Sequence, residues 1–210
     1  KGDEDLARPV ESRFREEGMN LYTSTKILRA EKTLGGSVIY FKHEGKEKKV
    51  CARYILQALG RRPNIDSLRL DLANIATQKS CISVDSKMKT NQPHIFAVGD
   101  VNGIHEVVHI AILQGEIAGH NAINPTSQRE MNNRLKASVV FTDPGVASVG
   151  LSEKECQANN IPYLTASYSF NDHGKSMCLG ETHGHVKLLC DPISGEVFGG
   201  HIVGPEAGEL

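Results

Sequence analysis

Apolar residues at the start of the chain recur with the spacing of an amphipathic helix. Leu6, Val10 and Phe14 stand at i, i+4 and i+8, so a helix would place them on one stripe. Pro9 is tolerated only in a first turn. The pattern therefore predicts a helix that begins near Asp5.

Alternating apolar and polar residues then predict a β-meander. Of three runs, the first has a broken alternation and the second alternates with β-branched and aromatic residues. The third is rich in Val, Ile, Leu and Tyr until Gly60 and Pro63 break it. The runs are Lys26–Glu31, Ser37–Lys42 and Lys49–Leu59. A helix followed by such strands is typical of the end of an α/β nucleotide-binding domain with an antiparallel excursion.

The stretch Thr90–Asp100 indicates a ligand-binding position. Residues His94–Val98 are mostly apolar and predict a short buried strand that ends in Gly99-Asp100. A glycine lets a ligand approach the backbone, and a carboxylate accepts hydrogen bonds from hydroxyl groups. Ligands of open α/β sheets lie at the carboxyl ends of strands. Taken alone, however, this dipeptide also fits a plain turn.

A long apolar helix is predicted from His105 to Ile123. The residues from Val107 to Leu113, apart from His109, are apolar nearly all round, which is typical of a helix buried on most sides. A proline-containing linker follows, and we place the start of a second domain near Asn132.

The second domain has short alternating strands around a short helix. Ser152 and Glu155 have the spacing of a capping box, which predicts where that helix begins. Strands separated by a helix indicate an α+β domain with an antiparallel sheet. The predicted strands are Ser138–Phe141, Val146–Val149, Tyr163–Phe170, His185–Cys190 and Glu196–Val203.

Composition and charge argue against several classes of function. A formal net charge of -1 over 210 residues gives no electrostatic reason to expect nucleic acid or an anionic membrane as a partner. No run approaches the ~20 apolar residues that cross a bilayer. The five cysteines are widely spaced, which argues against a disulfide framework and favours a reducing, cytoplasmic compartment with each thiol buried. His183 and His185 are interpreted as solvated strand residues, so no metal site is predicted.

Four stretches in this order carry a family resemblance. They are Ala58–Asn64, Thr90–Asp100, Phe141–Glu153 and Gly199–Leu210. Together they resemble the flavin-dependent class I pyridine nucleotide-disulfide oxidoreductases. Gly174–Ser176 and Gly180–Lys187 are most similar to the dihydrolipoamide dehydrogenase branch of that family.

The resemblance implies a domain order. Residues 1–59 would close an NAD(P)-binding domain, residues 60–125 would form the second segment of an FAD-binding domain, and residues 132–210 would form a dimerisation domain. The expected fold class is therefore α/β, an incomplete Rossmann-like portion with a β-meander, plus an α+β dimerisation domain that forms a homodimer.

The resemblance also implies cofactor contacts. Asp100, after Gly99, would accept from a ribityl hydroxyl of FAD, and the backbone N–H groups near Glu106 and Val107 would face the flavin pyrimidine edge. A positive helix end there would stabilise the anionic reduced flavin. His109 is left open between a cofactor neighbour and a core histidine.

Nicotinamide nucleotide would pass close to the backbone at Gly60. Arg61 is left open between a contact to nucleotide phosphate and a place in a surface loop. NAD is the expected nucleotide, although the sequence does not separate NAD from NADP.

Several family features are not in these residues. No Gly-x-Gly-x-x-Gly fingerprint occurs, and no cysteine pair has the redox-active spacing. The histidine–glutamate acid/base would lie outside the chain, so no catalytic residue is predicted. We expect a piece of a longer enzyme that is inactive by itself.

The expected reaction of the whole enzyme is dihydrolipoamide plus NAD giving lipoamide plus NADH, with a small dithiol or a lipoyl domain as partner. Three alternatives stay open. The parent could resemble mercuric reductases or NAD(P)H oxidases, and the chain itself could be a non-catalytic dimerisation module.

Overall fold

The computed structural model describes residues 2–132, 134 and 137–210. Within them lie four α-helices, namely α1 (Glu4–Glu16), α2 (Val108–Ile123), α3 (Glu153–Ala158) and α4 (Gly174–Leu179). The same residues contain ten strands, namely β1 (Lys26–Thr33), β2 (Gly36–His43), β3 (Lys46–Ala52), β4 (Thr77–Gln78), β5 (Cys81–Ile82), β6 (Ala137–Val140), β7 (Gly145–Gly150), β8 (Leu164–Ser169), β9 (His185–Cys190) and β10 (Val197–Gly204). The fold is mixed α/β with antiparallel sheets, as the sequence predicts.

The predicted meander is a three-stranded antiparallel sheet in the order β1-β2-β3. Its third strand ends at Ala52 rather than at Leu59, because pairing with β2 stops at the Ser37–Ala52 pair. The apolar residues that follow have no strand partner among the described residues, and Leu56 is 93% exposed. Apolar, β-branched composition therefore predicted too long a strand.

The stretch around Gly99-Asp100 differs from its prediction. His94–Val98 is not a strand, since its described pairing is a single bridge between Phe96 and Lys89. Its apolar side chains pack instead in two small clusters, one around Met88 and Ile110 and the other around Ala97. Its backbone hydrogen bonds, from Ala97 N to Met88 O (3.1 Å) and from Thr90 N to Ile95 O (3.0 Å), are too few to form a ladder.

Helix α2 begins at Val108, three residues later than predicted. Its buried residues lie on one stripe, namely Ile110, Gln114, Ile117, Ala118 and Asn121. The expectation of burial on most sides is wrong for the described residues, because Val108 is 77% and Ile123 80% exposed.

The second domain is a five-stranded antiparallel sheet in the order β6-β7-β10-β9-β8. The capping box is confirmed, since Ser152 N donates to Glu155 Oε2 (2.9 Å) and Glu155 N donates to Ser152 Oγ (3.2 Å). Helix α4 was not predicted, because six residues with no apolar period resemble a turn in sequence.

Helix α1 lies against β10 of this sheet. Leu6 of α1 is 3% exposed. The sheet face on this side carries Lys187, Leu189, His201 and Val203, all of them buried. The first residues of the chain therefore pack on the last ones, a contact that no local pattern predicts.

The expectation that every cysteine is buried is wrong. Cys156 is buried, but Cys51 on β3 and Cys178 on α4 are exposed. Strand β3 and helix α4 are each covered by other residues on one side at most.

In the part of the chain that the structure describes, no helix is both long and apolar enough to cross a bilayer.

Candidate functional site

The Gly-Asp dipeptide forms a tight turn between an extended segment and α2. Val98 is extended, and Gly99–Asn102 then form a 3₁₀ turn. Gly99 has φ +74°, and a Cβ there would lie 3.4 Å from the Cβ of Ala111 in α2. Glycine is needed because side-chain-bearing residues disfavour this conformation. The turn therefore brings its backbone close to the first part of α2.

Gln114 of α2 holds this turn in place. Its side chain is fully buried, and its Oε1 accepts hydrogen bonds from Gly99 N (2.7 Å) and Asn102 Nδ2 (2.8 Å). Asn102 also donates to Ala97 O (3.2 Å) and accepts from Ile104 N (3.0 Å). Gln114 was not predicted from the sequence. The available signal was a polar residue on the buried stripe of an apolar helix.

The Asp100 carboxylate points outward from the turn and is 43% exposed. Its Oδ2 accepts a hydrogen bond from the guanidinium of Arg61, whose side chain is 68% exposed. Its Oδ1 has no hydrogen-bond partner among the described residues. One oxygen of the carboxylate is thus held by a cation, and the other is open to a hydroxyl donor.

The same ion pair places the Gly60 loop beside the turn. Gly60 has φ +99°, and no atom of the described residues lies within 4 Å of the position of its Cβ. Arg61 was left open between phosphate and surface loop, and the structure pairs it with Asp100. A role for Gly60 in nucleotide binding stays a prediction.

The N-terminus of α2 lies next to the turn. Val107 is the N-cap and is extended, and no side chain caps the helix. The first N–H groups of a helix have no acceptors within it, and its N-terminus is partly positive. Glu106 and Val107 therefore lie at a helix end able to face an anionic or carbonyl-bearing group.

His109 connects α2 to the second domain. Its Nε2 lies 3.0 Å from the carbonyl oxygen of Ala137 in β6. This contact gives the side chain a structural partner. Its predicted place beside a cofactor stays a prediction.

Comparison with known proteins defines the class. The family model described as "Pyridine nucleotide-disulphide oxidoreductase" matches residues 1–115, and the model described as "Pyridine nucleotide-disulphide oxidoreductase, dimerisation domain" matches residues 136–210. The first alone covers more than half of the chain. The chain therefore belongs to the pyridine nucleotide-disulphide oxidoreductase family.

Two relatives and one solved structure show where the chain fits. The dihydrolipoyl dehydrogenases of Mycobacterium tuberculosis and Bacillus subtilis are 33% and 31% identical over 99% of the chain. The crystal structure of LpdA from Mycobacterium tuberculosis superposes with a TM-score of 0.87 at 27% identity, over 100% of this chain and 45% of that one. The chain spans less than half of the two relatives' own lengths, 45% and 44%.

Proposed function

We propose that the chain supplies one side of an FAD site and the dimerisation domain to an NAD(P)-linked disulfide oxidoreductase. The observation that carries the proposal is the Gly99-Asp100 turn, which Gln114 fixes and which presents an open carboxylate oxygen beside the uncapped end of α2. A polyol chain matches the carboxylate oxygen, and a ring carbonyl matches the N-terminus of α2.

Each part of the turn has a separate task in this proposal. Oδ1 of Asp100 accepts from a ribityl hydroxyl, and the absence of a Cβ at Gly99 lets the turn lie against Ala111 of α2. The N–H groups near Glu106 and Val107 face the pyrimidine edge, where the partly positive helix end stabilises negative charge on the ring. His109 orients α2 through Ala137, and Gly60 lets NAD(P) pass close to the backbone.

FAD supplies the redox chemistry when bound, accepting two electrons from a dithiol and passing them on as hydride. The favoured reaction is dihydrolipoamide plus NAD giving lipoamide plus NADH, by analogy with the named relatives. The thiol partner would be a small dithiol or a lipoyl domain, in the reducing cytoplasm that the cysteine pattern favours. Mercuric reductase-like and NAD(P)H oxidase-like reactions would use the same turn, so substrate assays separate them.

The five-stranded sheet supports a homodimer. Strand register places Leu164, Tyr168, Leu188 and Val149 on the face opposite to Lys187 and His201. These four side chains are 56%, 54%, 48% and 40% exposed. An apolar sheet face of this kind favours burial against another surface. We propose that residues 132–210 bury it against a second copy.

The flavin proposal is tested on the protein as its gene encodes it. Asp100→Asn keeps the shape but removes the charge, and a hydrogen bond to a charged group contributes ~1.5–3 kcal/mol. FAD binding to the apoprotein is therefore expected to weaken by roughly ten- to hundredfold, as measured by flavin fluorescence.

The matched control is Asp71→Asn. Asp71 is also an exposed carboxylate paired with an arginine, Arg69, at 3.5 Å, but it lies in a different loop. Its variant is expected to bind FAD as the wild type does. Equal affinities for the wild type and Asp100→Asn would contradict the proposal.

A further inference from the structure

The most deeply buried charge in the described part of the chain is Lys187. Its side chain is 2% exposed, on the inner face of β9. Its Nζ lies 2.8 Å from Asp3 Oδ2, 2.8 Å from Asp5 Oδ2 and 3.0 Å from Glu153 Oε1. An ammonium group donates three hydrogen bonds, so each of its protons has a carboxylate acceptor.

Asp3 joins the start of the chain to α3. Besides Lys187, its carboxylate accepts from the backbone N–H groups of Glu153 (3.0 Å) and Lys154 (3.2 Å) in the first turn of α3. The Lys154 ammonium in return donates to the carbonyl of Gly2 (2.8 Å). The residue before α1 thus satisfies two N–H groups that α3 leaves without an intrahelical acceptor.

Three carboxylates stand close together in this cluster. Ligand atoms of Asp3, Asp5 and Glu153 lie within 4.8 Å of one another, a spacing that also suits a metal ion. Here the ammonium of Lys187 contacts all three. Burial alone would raise the pKa of Asp3, but hydrogen bonds from Lys187 and from the α3 backbone outweigh it and hold that pKa below its usual value.

We infer that this cluster is an interdomain lock, in which Lys187 fixes α1 to the dimerisation domain. Helix α1 lies in the part of the chain that matches the nucleotide-binding family model, and Lys187 and Glu153 lie in the part that matches the dimerisation domain. The lock makes α1 follow the dimerisation domain rather than move with the β1-β2-β3 sheet. The dimerisation domain would thereby set the position of this helix.

The physical reason is the cost of separating buried charges. Removing α1 together with Asp3 before it would leave the buried Lys187 with one carboxylate instead of three. An uncompensated buried charge is strongly unfavourable, whereas exposed ion pairs contribute little. The lock is a property of side-chain packing and does not depend on flavin binding.

Hydrogen exchange tests the lock on the protein as its gene encodes it. In Lys187→Met, backbone amides of α1 are expected to exchange about tenfold faster or more, while those of β10 change by less than about twofold. Lys175→Met is the matched control, because Lys175 is an exposed lysine of α4. It is expected to change exchange neither in α1 nor in β10.

Two results would overturn the inference. Unchanged exchange in α1 would show that Lys187 does not hold it, and an equal increase in α1 and β10 would show a general loss of stability. If Lys187→Met does not fold, Asp5→Asn carries the same test, because Asp5 is 40% exposed and its loss leaves two carboxylates on Lys187. The expected effect is then smaller and again confined to α1.

Discussion

The backbone N–H of Gly99 donates to Oε1 of Gln114 across 2.7 Å. This bond fixes the turn that carries Asp100, and helix α2 begins beside that turn. Because Gln114 is fully buried, no water replaces the bond when it is lost.

Gln114→Leu is expected to destabilise the protein by about 1–3 kcal/mol, since it leaves Gly99 N–H without an acceptor in a buried position. It is also expected to weaken FAD binding, because the turn is no longer fixed. Denaturant unfolding and flavin retention measure the two effects. Gln57→Leu, in an exposed loop, is the control, and identical results for both variants would contradict this role.

The stability that the interdomain lock contributes depends on pH, because Asp3 and Lys187 must both be charged. Asp3 has a lowered pKa, so its contribution to stability is present above its ordinary value of 3.8 and is lost as pH falls through the lower, folded value. Burial by itself would lower the pKa of Lys187, but hydrogen bonds to Asp3, Asp5 and Glu153 raise it above its ordinary 10.5. The lysine's contribution is therefore present below 10.5 and lost above that value, as pH rises through the raised pKa.

We therefore expect the stability difference between wild type and Lys187→Met to be constant between about pH 5 and pH 9. It should shrink in more acidic solution. The nearby His185, which contacts Asp5 at 3.7 Å, has a pKa lowered chiefly by burial, so it stays neutral over most of this window. Thermal melting of both proteins over this range measures the difference. A difference that falls already near neutral pH would contradict the prediction.

The apolar sheet face gives a prediction about assembly. Leu188→Glu places a charge on that face and is expected to convert the proposed homodimer to a monomer in sedimentation experiments. Leu72→Glu, which alters a side chain that is 73% exposed outside the sheet, is expected to leave the dimer intact. A dimer that survives Leu188→Glu would place the interface on another surface.

Local patterns in the sequence predicted the elements whose structure depends on neighbours in the chain. The Ser152–Glu155 capping box follows from a rule that acts over a few residues. The β9 strand was predicted with its observed ends, since Gly184 precedes it and the turn residues Asp191-Pro192 follow it.

Features that depend on distant residues were not predictable in this way. Lys187 and Asp3 are 184 positions apart, and nothing in either neighbourhood indicates their contact. The strand predicted at Lys49–Leu59 ends at Ala52, and the one predicted at His94–Val98 does not form. The reason is the same, since a strand requires a partner whose position the local sequence does not specify. Gln114 was missed because its acceptor role depends on the turn folding back onto α2.

Binding of FAD by the Gly99-Asp100 turn is tested by hydrogen exchange of the apoprotein, as its gene encodes it, with and without FAD. FAD is expected to slow exchange in residues 99–109, where the turn and the start of α2 lie, and to leave the β1-β2-β3 sheet unchanged. Exchange in residues 99–109 that is the same with saturating FAD would contradict it.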